Sequence, residues 1–149
     1  MAFINDGYQT LVTFSLTPIT LVVKEKAVTP PGMDGGDMVD ITTMRNDVWR
    51  TRNPRYLVTL TEFTFTASYD PLIYPTLLDV LNINQEITLM FPDTSTLAFW
   101  GWLQKVIPGE NVEGTQPIIT CTITPSNHNG LGAGSVGMVE VTPIYTPPV

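Results

Sequence analysis

The sequence has little of what enzymes and nucleic-acid-binding proteins depend on. Its 149 residues include one histidine, one cysteine and seven lysines or arginines against fourteen aspartates and glutamates, a formal net charge of −7. Affinity for a phosphate backbone comes from lysine and arginine, so this balance argues against a broad nucleic-acid-binding surface. No apolar run approaches the roughly 20 residues that span a bilayer, and no basic region precedes an apolar core near the N-terminus. We therefore expect a soluble chain without a standard export signal.

The single cysteine, Cys121, has no second cysteine with which to form an internal disulfide. A catalytic thiol requires a neighbouring base, and the only histidine, His128, lies in a loop rich in glycine and asparagine. Cys121 alternates with Ile119 and Ile123 at strand spacing, which predicts a buried, unreactive thiol. The sequence also has no Walker loop, no G-x-G-x-x-G after a strand, no H-E-x-x-H and no G-x-S-x-G. We expect no enzymatic activity and no cofactor.

What the sequence has in quantity is the alternation of β-branched and aromatic residues with polar ones, which indicates half-buried strands. Strands are predicted at about residues 10–16, 19–28, 38–43, 56–68, 86–91, 96–107, 117–124 and 138–142. The stretch 56–68 is expected to be the longest. These strands predict an all-β fold, a β-sandwich or rolled barrel.

One flanking α-helix is predicted at about residues 71–83. Asp70 suits the N-cap and Pro71 the first helical position, and the apolar residues that follow share one face, which is expected to lie across the sheet. Pro75 falls inside this range, so the regular helix is expected to begin nearer Tyr74.

The elements predict a single domain over residues 1–149, long enough to bury about 70% of its unfolded surface. Two segments depart from the regular pattern. Prolines and glycines at about residues 28–40 predict a long arm, and a glycine-rich C-terminal segment occupies about residues 126–149.

The stretch DGGDMVDITTMRNDVWRTRNPR, residues 34–55, separates acidic from basic side chains. Its charged residues of interest are Asp34, Asp37, Asp40, Arg45, Arg50, Arg52 and Arg55. The aspartates suit a hard cation such as Ca²⁺, but their spacing does not match a calcium loop, so we favour a hydrated loop and no metal. The arginines, with Trp49 among them, suit phosphate or stacked bases. We favour their pairing with carboxylates, of this chain or of a neighbouring copy, because acids outnumber bases.

Trp100 and Trp102 fall on one face of a predicted strand that is apolar on both sides. Such a pair suits a sugar or base platform. Packing in the core or at a subunit interface is the favoured interpretation for all three tryptophans, since large aromatic residues are enriched in both places. A strand that is apolar on both faces is buried twice or covered by a neighbouring subunit.

Over about residues 10 to 125, the order of these segments resembles the tail tube (major tail) proteins of long-tailed bacteriophages and prophages. The resemblance rests on the arm PPGMDGGD before MVDITTMRND, the strand LVTLTEFTFTASYDP, the helix PLIYPTLLDVLN and the hairpin ITLMFPDTSTLAFWGWLQKVIPGENVEGTQPIITCTITPS. The glycine-rich segment from Ser126 onward has no counterpart in the common core of that family.

The resemblance implies a structural protein that self-assembles into stacked hexameric rings, forming the hollow channel for DNA ejection. It implies that the arm reaches between rings and that one sheet of each copy joins its neighbours around the channel. The implied partners are other copies, other tail proteins and viral DNA in transit without specific binding, and no membrane. The implied location is the virion, in the phage tail, after assembly in the host cytoplasm. Contacts between subunits or rings are expected of the three aspartates and four arginines named above.

Two other functions remain open. The first is a monomeric β-sandwich of the virion that recognises a glycan or receptor through Trp100 and Trp102. The second is a hydrolase or metal-dependent enzyme, for which the sequence contains no motif.

Overall fold

The computed structural model describes residues 10–15, 25–130 and 139–148, which are mostly β. The strands are β1 (Leu11–Phe14), β2 (Glu25–Thr29), β3 (Met33–Asp34), β4 (Val39–Asp40), β5 (Arg52–Asn53), β6 (Thr59–Leu60), β7 (Phe63–Ser68), β8 (Gln85–Met90), β9 (Thr96–Pro108), β10 (Ile118–Pro125) and β11 (Ile144–Thr146). Within those ranges the one helix is α1 (Tyr74–Asp79). The all-β class with one helix is confirmed.

The chain divides into two compact units, which we call the body (residues 1–30 and 62–149) and the arm (residues 31–61). The body holds a seven-stranded antiparallel sheet in the order β1-β8-β9-β10-β7-β2, with β11 also paired to β9. The first part of β9 pairs with β8 on one edge and β11 on the other, and its second part, from Gly101 onward, pairs with β10. Strand β9 therefore links β8 and β11 on one side of Gly101 to β10 on the other.

The two strands at the ends of this order are joined by a side chain. The Val12 N–H of β1 donates a hydrogen bond to the Glu25 carboxylate of β2, with 2.7 Å between nitrogen and oxygen. Burial raises the pKa of Glu25, and the hydrogen bond from Val12 acts in the opposite direction. The sheet is thus rolled on itself, as the barrel-like interpretation of the sequence expects.

Alternate residues of the strands form the core of the body, because successive side chains of a strand point to opposite faces. The buried apolar side chains of these strands are Val12, Phe14, Phe63, Phe65, Ala67, Ile87, Leu89, Leu97, Phe99, Leu103, Ile119, Cys121 and Ile123. The Phe63 ring lies 5.6 Å from that of Phe65 and 6.2 Å from that of Phe99, the latter edge to face. Leu77 of α1 is also fully buried. The predicted inward position of Cys121 is confirmed.

Helix α1 is shorter than the predicted range 71–83, because two local features limit it. The Asp70 carboxylate accepts a backbone N–H two residues later at 2.9 Å, which makes a separate turn before the helix. Pro75 then occupies the first turn, and Asn82, with a φ of 60°, follows the helix end. The predicted start near Tyr74 is confirmed. The predicted end at residue 83 lies about four residues beyond the observed end at Asp79.

Three strand predictions differ from the structure. The predicted strand 56–68 is divided: its second half is β7, whereas Thr59–Leu60 pairs with β3 in the arm. The longest strand is instead β9, with 13 residues. Residue 138 of the predicted strand 138–142 lies outside the described part, and the rest holds only the isolated bridge of Glu140 to His128. The strand that pairs with the edge of β9 left free by β10 is instead β11, Ile144–Thr146. The prediction at 19–28 overlaps β2, and residues 16–24 lie outside the described part.

A polar cluster fixes the loop that follows β10. The buried Asn84 amide donates to the carbonyl oxygens of His128 at 2.9 Å and Gly130 at 2.6 Å, and its oxygen accepts the Ser126 hydroxyl at 2.5 Å. The Gly130 N–H donates to His128 Nδ1 at 3.1 Å. Because a buried amide without partners costs stability, this set of bonds holds the start of the glycine-rich segment against the sheet.

Gly101 lies at a close approach of β9 and β10, and this contact generates a first prediction. A Cβ at this position would lie 2.7 Å from the Thr124 carbonyl oxygen and 3.1 Å from the Cα of Pro125. We expect Gly101→Ala to lower the free energy of unfolding by about 1–3 kcal/mol, as overpacking does. The control is Gly35→Ala, whose Cβ has no neighbour within 4 Å. Denaturant unfolding measures both, and equal stability of the two variants contradicts the prediction.

Cys121 generates a second prediction. Its side chain is fully buried, and burial raises the pKa of its thiol to about 12. We expect an aromatic disulfide reagent to modify the native protein at neutral pH only as fast as the core opens, and the denatured protein at once. Modification of the native protein as rapid as that of a free thiol, followed by absorbance, would exclude the buried position.

Candidate functional site

The arm is a hairpin with a defined backbone. Strand β3 pairs with β6 and β4 pairs with β5. At its base, the Gly32 N–H donates to Thr61 Oγ1 at 2.7 Å, and the Thr61 N–H donates to the Gly32 carbonyl at 2.8 Å. Between β3 and β4 the chain turns through Gly36, which has a φ of 78° and donates its N–H to Asp34 at 2.9 Å. The arm predicted at about residues 28–40 is therefore one half of this hairpin.

Side chains fix the tip of the arm, residues 42–51. Asn46 accepts a backbone N–H three residues earlier at 3.1 Å and donates to the Trp49 carbonyl at 2.8 Å. The Thr51 N–H donates to the Thr42 hydroxyl at 3.0 Å. Local side-chain hydrogen bonds replace a strand ladder here. This explains why the sequence of this stretch does not alternate between apolar and polar residues.

Part of the charge in the arm is matched within the arm. One oxygen of Asp40 lies 3.5 Å from a guanidinium nitrogen of Arg50, and both side chains are more than half exposed. Hydrogen bonds from the Thr42 hydroxyl and N–H lower the pKa of Asp40, with a smaller effect from the charge of Arg52. An exposed pair of this kind contributes little to stability because water screens it.

The other charged groups of the arm are not paired with each other. The Asp34 carboxylate accepts a backbone N–H of its own turn, and Arg55 donates to the Asp37 backbone carbonyl at 2.8 Å. Among the described residues, Arg45 and Arg52 have no carboxylate within ion-pairing distance. Two guanidinium groups of the arm are thus available to another molecule.

Large apolar side chains of the arm are also exposed. Trp49 is 79% exposed. The other large apolar residues of the arm that are more than half exposed are Met33, Met38, Met44, Val48, Tyr56, Leu57 and Val58. Such a concentration in one small unit is typical of a surface that a protein partner covers.

The face of the sheet opposite the core, which we call the outer face, is rich in hydroxyl groups. The strand register places on it Thr64, Thr66, Ser68, Thr88, Thr96, Thr120, Thr122 and Thr124. Trp100 and Trp102 lie on the same face and are half-buried. The charged side chains that β7 to β10 place there are Glu86 and Lys105. The two indoles belong to neither the core nor a fully exposed platform.

A groove of about 320 Å³, which we call the tyrosine groove, lies where the start of the helical segment meets the ends of β9 and β10. It is lined by Tyr69, Tyr74, Pro108, Asn111, Pro117 and Ile118. The rings of Tyr69 and Tyr74 lie 5.5 Å apart with an angle of 52°. The loop beside it carries two exposed acidic residues, Glu110 and Glu113. Sequence reasoning missed this groove, because its lining comes from separate segments.

The described residues contain no group of three or more histidines, cysteines, aspartates and glutamates arranged to hold a metal ion. Asp34, Asp37 and Asp40 thus do not form such a group. In the same part of the chain, no helix has the length and apolar character needed to cross a membrane.

No family model and no curated protein matches the chain, whereas solved structures do. A chain of the cryo-EM structure of the anti-feeding prophage (AFP) baseplate, 6-fold symmetrised, aligns with a TM-score of 0.65 and 11% identity over 85% of this chain and 94% of that one. A chain of the tail of the empty GTA particle, C6 symmetry, aligns with a TM-score of 0.61 and 10% identity over 87% of this chain and 100% of that one. At these identities the likeness concerns the fold. The chain therefore has the fold of components of phage-like tail particles, as its resemblance to tail proteins implied.

Proposed function

We propose that this chain is a structural tail tube protein, which self-assembles into stacked hexameric rings and forms the hollow channel for DNA ejection. The observation that carries the proposal is the fold shared with chains of two tail particles of sixfold symmetry, along 94% and 100% of their lengths. On this proposal the partners are other copies and other tail proteins, and the chain acts in the virion after assembly in the host cytoplasm.

The arm supports self-assembly. Its exposed apolar surface is covered when a second molecule binds, and its hydrogen-bonded backbone loses little entropy in doing so. The aspartates and arginines for which contacts between copies were predicted lie in this unit and are exposed. We propose that they make contacts between subunits or rings.

The outer face suits the wall of the channel. DNA binds to proteins that neutralise its phosphates with lysine and arginine. Strands β7 to β10 offer DNA hydroxyl and apolar side chains on this face, with the charge of Lys105 balanced by that of Glu86. A net charge of −7 on each copy adds repulsion at longer range. DNA would move along such a wall without being held.

Electron microscopy of the purified protein tests the proposal. We expect hollow tubes or stacked rings with sixfold symmetry, growing with protein concentration. A species that stays monomeric at high concentration would exclude the tube. Binding of that monomer to a glycan, lost on Trp102→Ala with the fold intact, would favour the virion binding module instead.

Added lysines on the outer face test the channel wall. We expect tubes of a Thr66→Lys, Thr122→Lys variant, assembled with short duplex DNA, to retain nuclease-resistant DNA at low salt and to release it at high salt. Wild-type tubes should retain little. The matched control carries the same two charges at exposed positions outside the strands, Thr94→Lys and Thr142→Lys. If control and outer-face variant protect equal amounts of DNA, the outer face does not line the channel.

A further inference from the structure

All four arginines of the chain lie in the arm, and the acidic excess lies in the body. The arm has four arginines and four aspartates and is neutral, which leaves the body three basic and ten acidic residues, or 3 − 10 = −7. The carboxylates of Asp34 and Asp40 accept hydrogen bonds within the arm, and Arg50 pairs with Asp40. Arg45 and Arg52 have no carboxylate within ion-pairing distance among the described residues, although Arg52 lies opposite Asp40 in the strand pair. The body therefore has carboxylates in excess, with which Arg45 and Arg52 of another copy can pair.

The tip of the arm carries an exposed aromatic side chain close in sequence to Arg45 and Arg52. Trp49 is 79% exposed, and Asn46 holds its backbone through the 2.8 Å hydrogen bond to its carbonyl. Tryptophan, tyrosine and arginine are the residues most enriched among those that dominate binding energy at protein interfaces. A loop whose backbone is fixed in this way loses less entropy on binding than a free loop.

The tyrosine groove has a size and a lining that suit the indole of Trp49. A cavity of about 150 Å³ holds benzene, so a groove of about 320 Å³ has room for an indole. Its wall of tyrosine, proline and isoleucine side chains suits an aromatic guest. Glu110 and Glu113 are exposed and lie one residue before and two residues after Asn111, a lining residue. Their carboxylates are the acidic groups of this loop with which guanidinium groups beside the guest could pair.

We propose that the arm tip of one copy docks in the tyrosine groove of another copy, with Trp49 in the groove and Arg45 and Arg52 against Glu110 and Glu113. The two contacting surfaces are different, so the contact is heterologous and each copy offers both halves. A contact of this type continues from copy to copy, into a closed ring or an open stack. The docking rests on the proposed function only in requiring self-association, and it names the surface that receives the arm.

Two pairs of variants test the docking, with self-association measured by sedimentation velocity and folding checked by circular dichroism. We expect Trp49→Ala to raise the concentration needed for association at least about tenfold. Tyr56→Ala removes an even more exposed aromatic side chain of the arm outside the tip, and should change this concentration less than about threefold. Association of Trp49→Ala at the wild-type concentration would overturn the proposal.

Exchanging the charges of the two surfaces tests the proposed pairing of arginine with glutamate. Arg45→Glu with Arg52→Glu, and separately Glu110→Arg with Glu113→Arg, should each weaken association at least about tenfold at low salt. The chain with all four substitutions should associate within about threefold of the wild type. Mixing the two double variants, which needs no quadruple variant to fold, should also restore association. Failure of both forms of rescue would overturn the pairing.

The outcomes separate the docking from the proposed function. Tubes formed equally by the wild type and Trp49→Ala would exclude the docking and leave the tube protein in place. Oligomers that depend on Trp49 but never become tubes would support the docking and exclude the tube. A wild-type chain that stays monomeric would exclude both.

Discussion

Backbone pairing along β9 decides where the other parts of the body lie. This strand pairs with β8, β11 and β10, and it passes from one set of partners to the other at Gly101, where the absence of a Cβ lets the Thr124 carbonyl approach. The core residues of the neighbouring strands then fall on one face by simple alternation. The same alternation places the hydroxyl-rich residues on the opposite face, and the end of β9 at Pro108 forms one wall of the tyrosine groove. The positions of the core, the proposed channel wall and the proposed docking site thus all depend on the pairing of β9.

The arm is held together by different interactions from those of the body. Its paired strands are two residues each, and side-chain hydrogen bonds rather than a long ladder fix its tip. Such a unit has little core of its own, and its large apolar residues remain exposed. In a monomer these side chains would be a liability for aggregation, whereas in an assembly they are the contact area. The composition of the arm therefore argues for a permanent partner more strongly than any single residue in it.

The parts of the fold that the sequence predicted are those controlled by burial. The period-two pattern placed Ile119, Cys121 and Ile123 correctly, and the proline rules placed the start of α1 near Tyr74. The predicted strand 56–68 was wrong because its alternation continues while the chain passes from the arm to the sheet, and alternation does not report which strand is the partner. The tyrosine groove escaped prediction for a related reason. Tyr69 and Ile118 are far apart in sequence, and only pairing of β7 with β10 brings them together.

The location of the arginines connects the proposed docking with the proposed channel. A tube that conducts DNA needs strong contacts between its subunits and weak contacts with its cargo, and arginine provides strong contacts to carboxylate and phosphate alike. An arginine on the channel wall would bind DNA through counterion release. All four arginines lie in the arm, where Asp40 pairs with Arg50 and, on the proposed docking, carboxylates of another copy neutralise Arg45 and Arg52. This placement would meet both requirements. The body can then remain acidic, and its outer face can present hydroxyl groups to the DNA, without any loss of cohesion between copies.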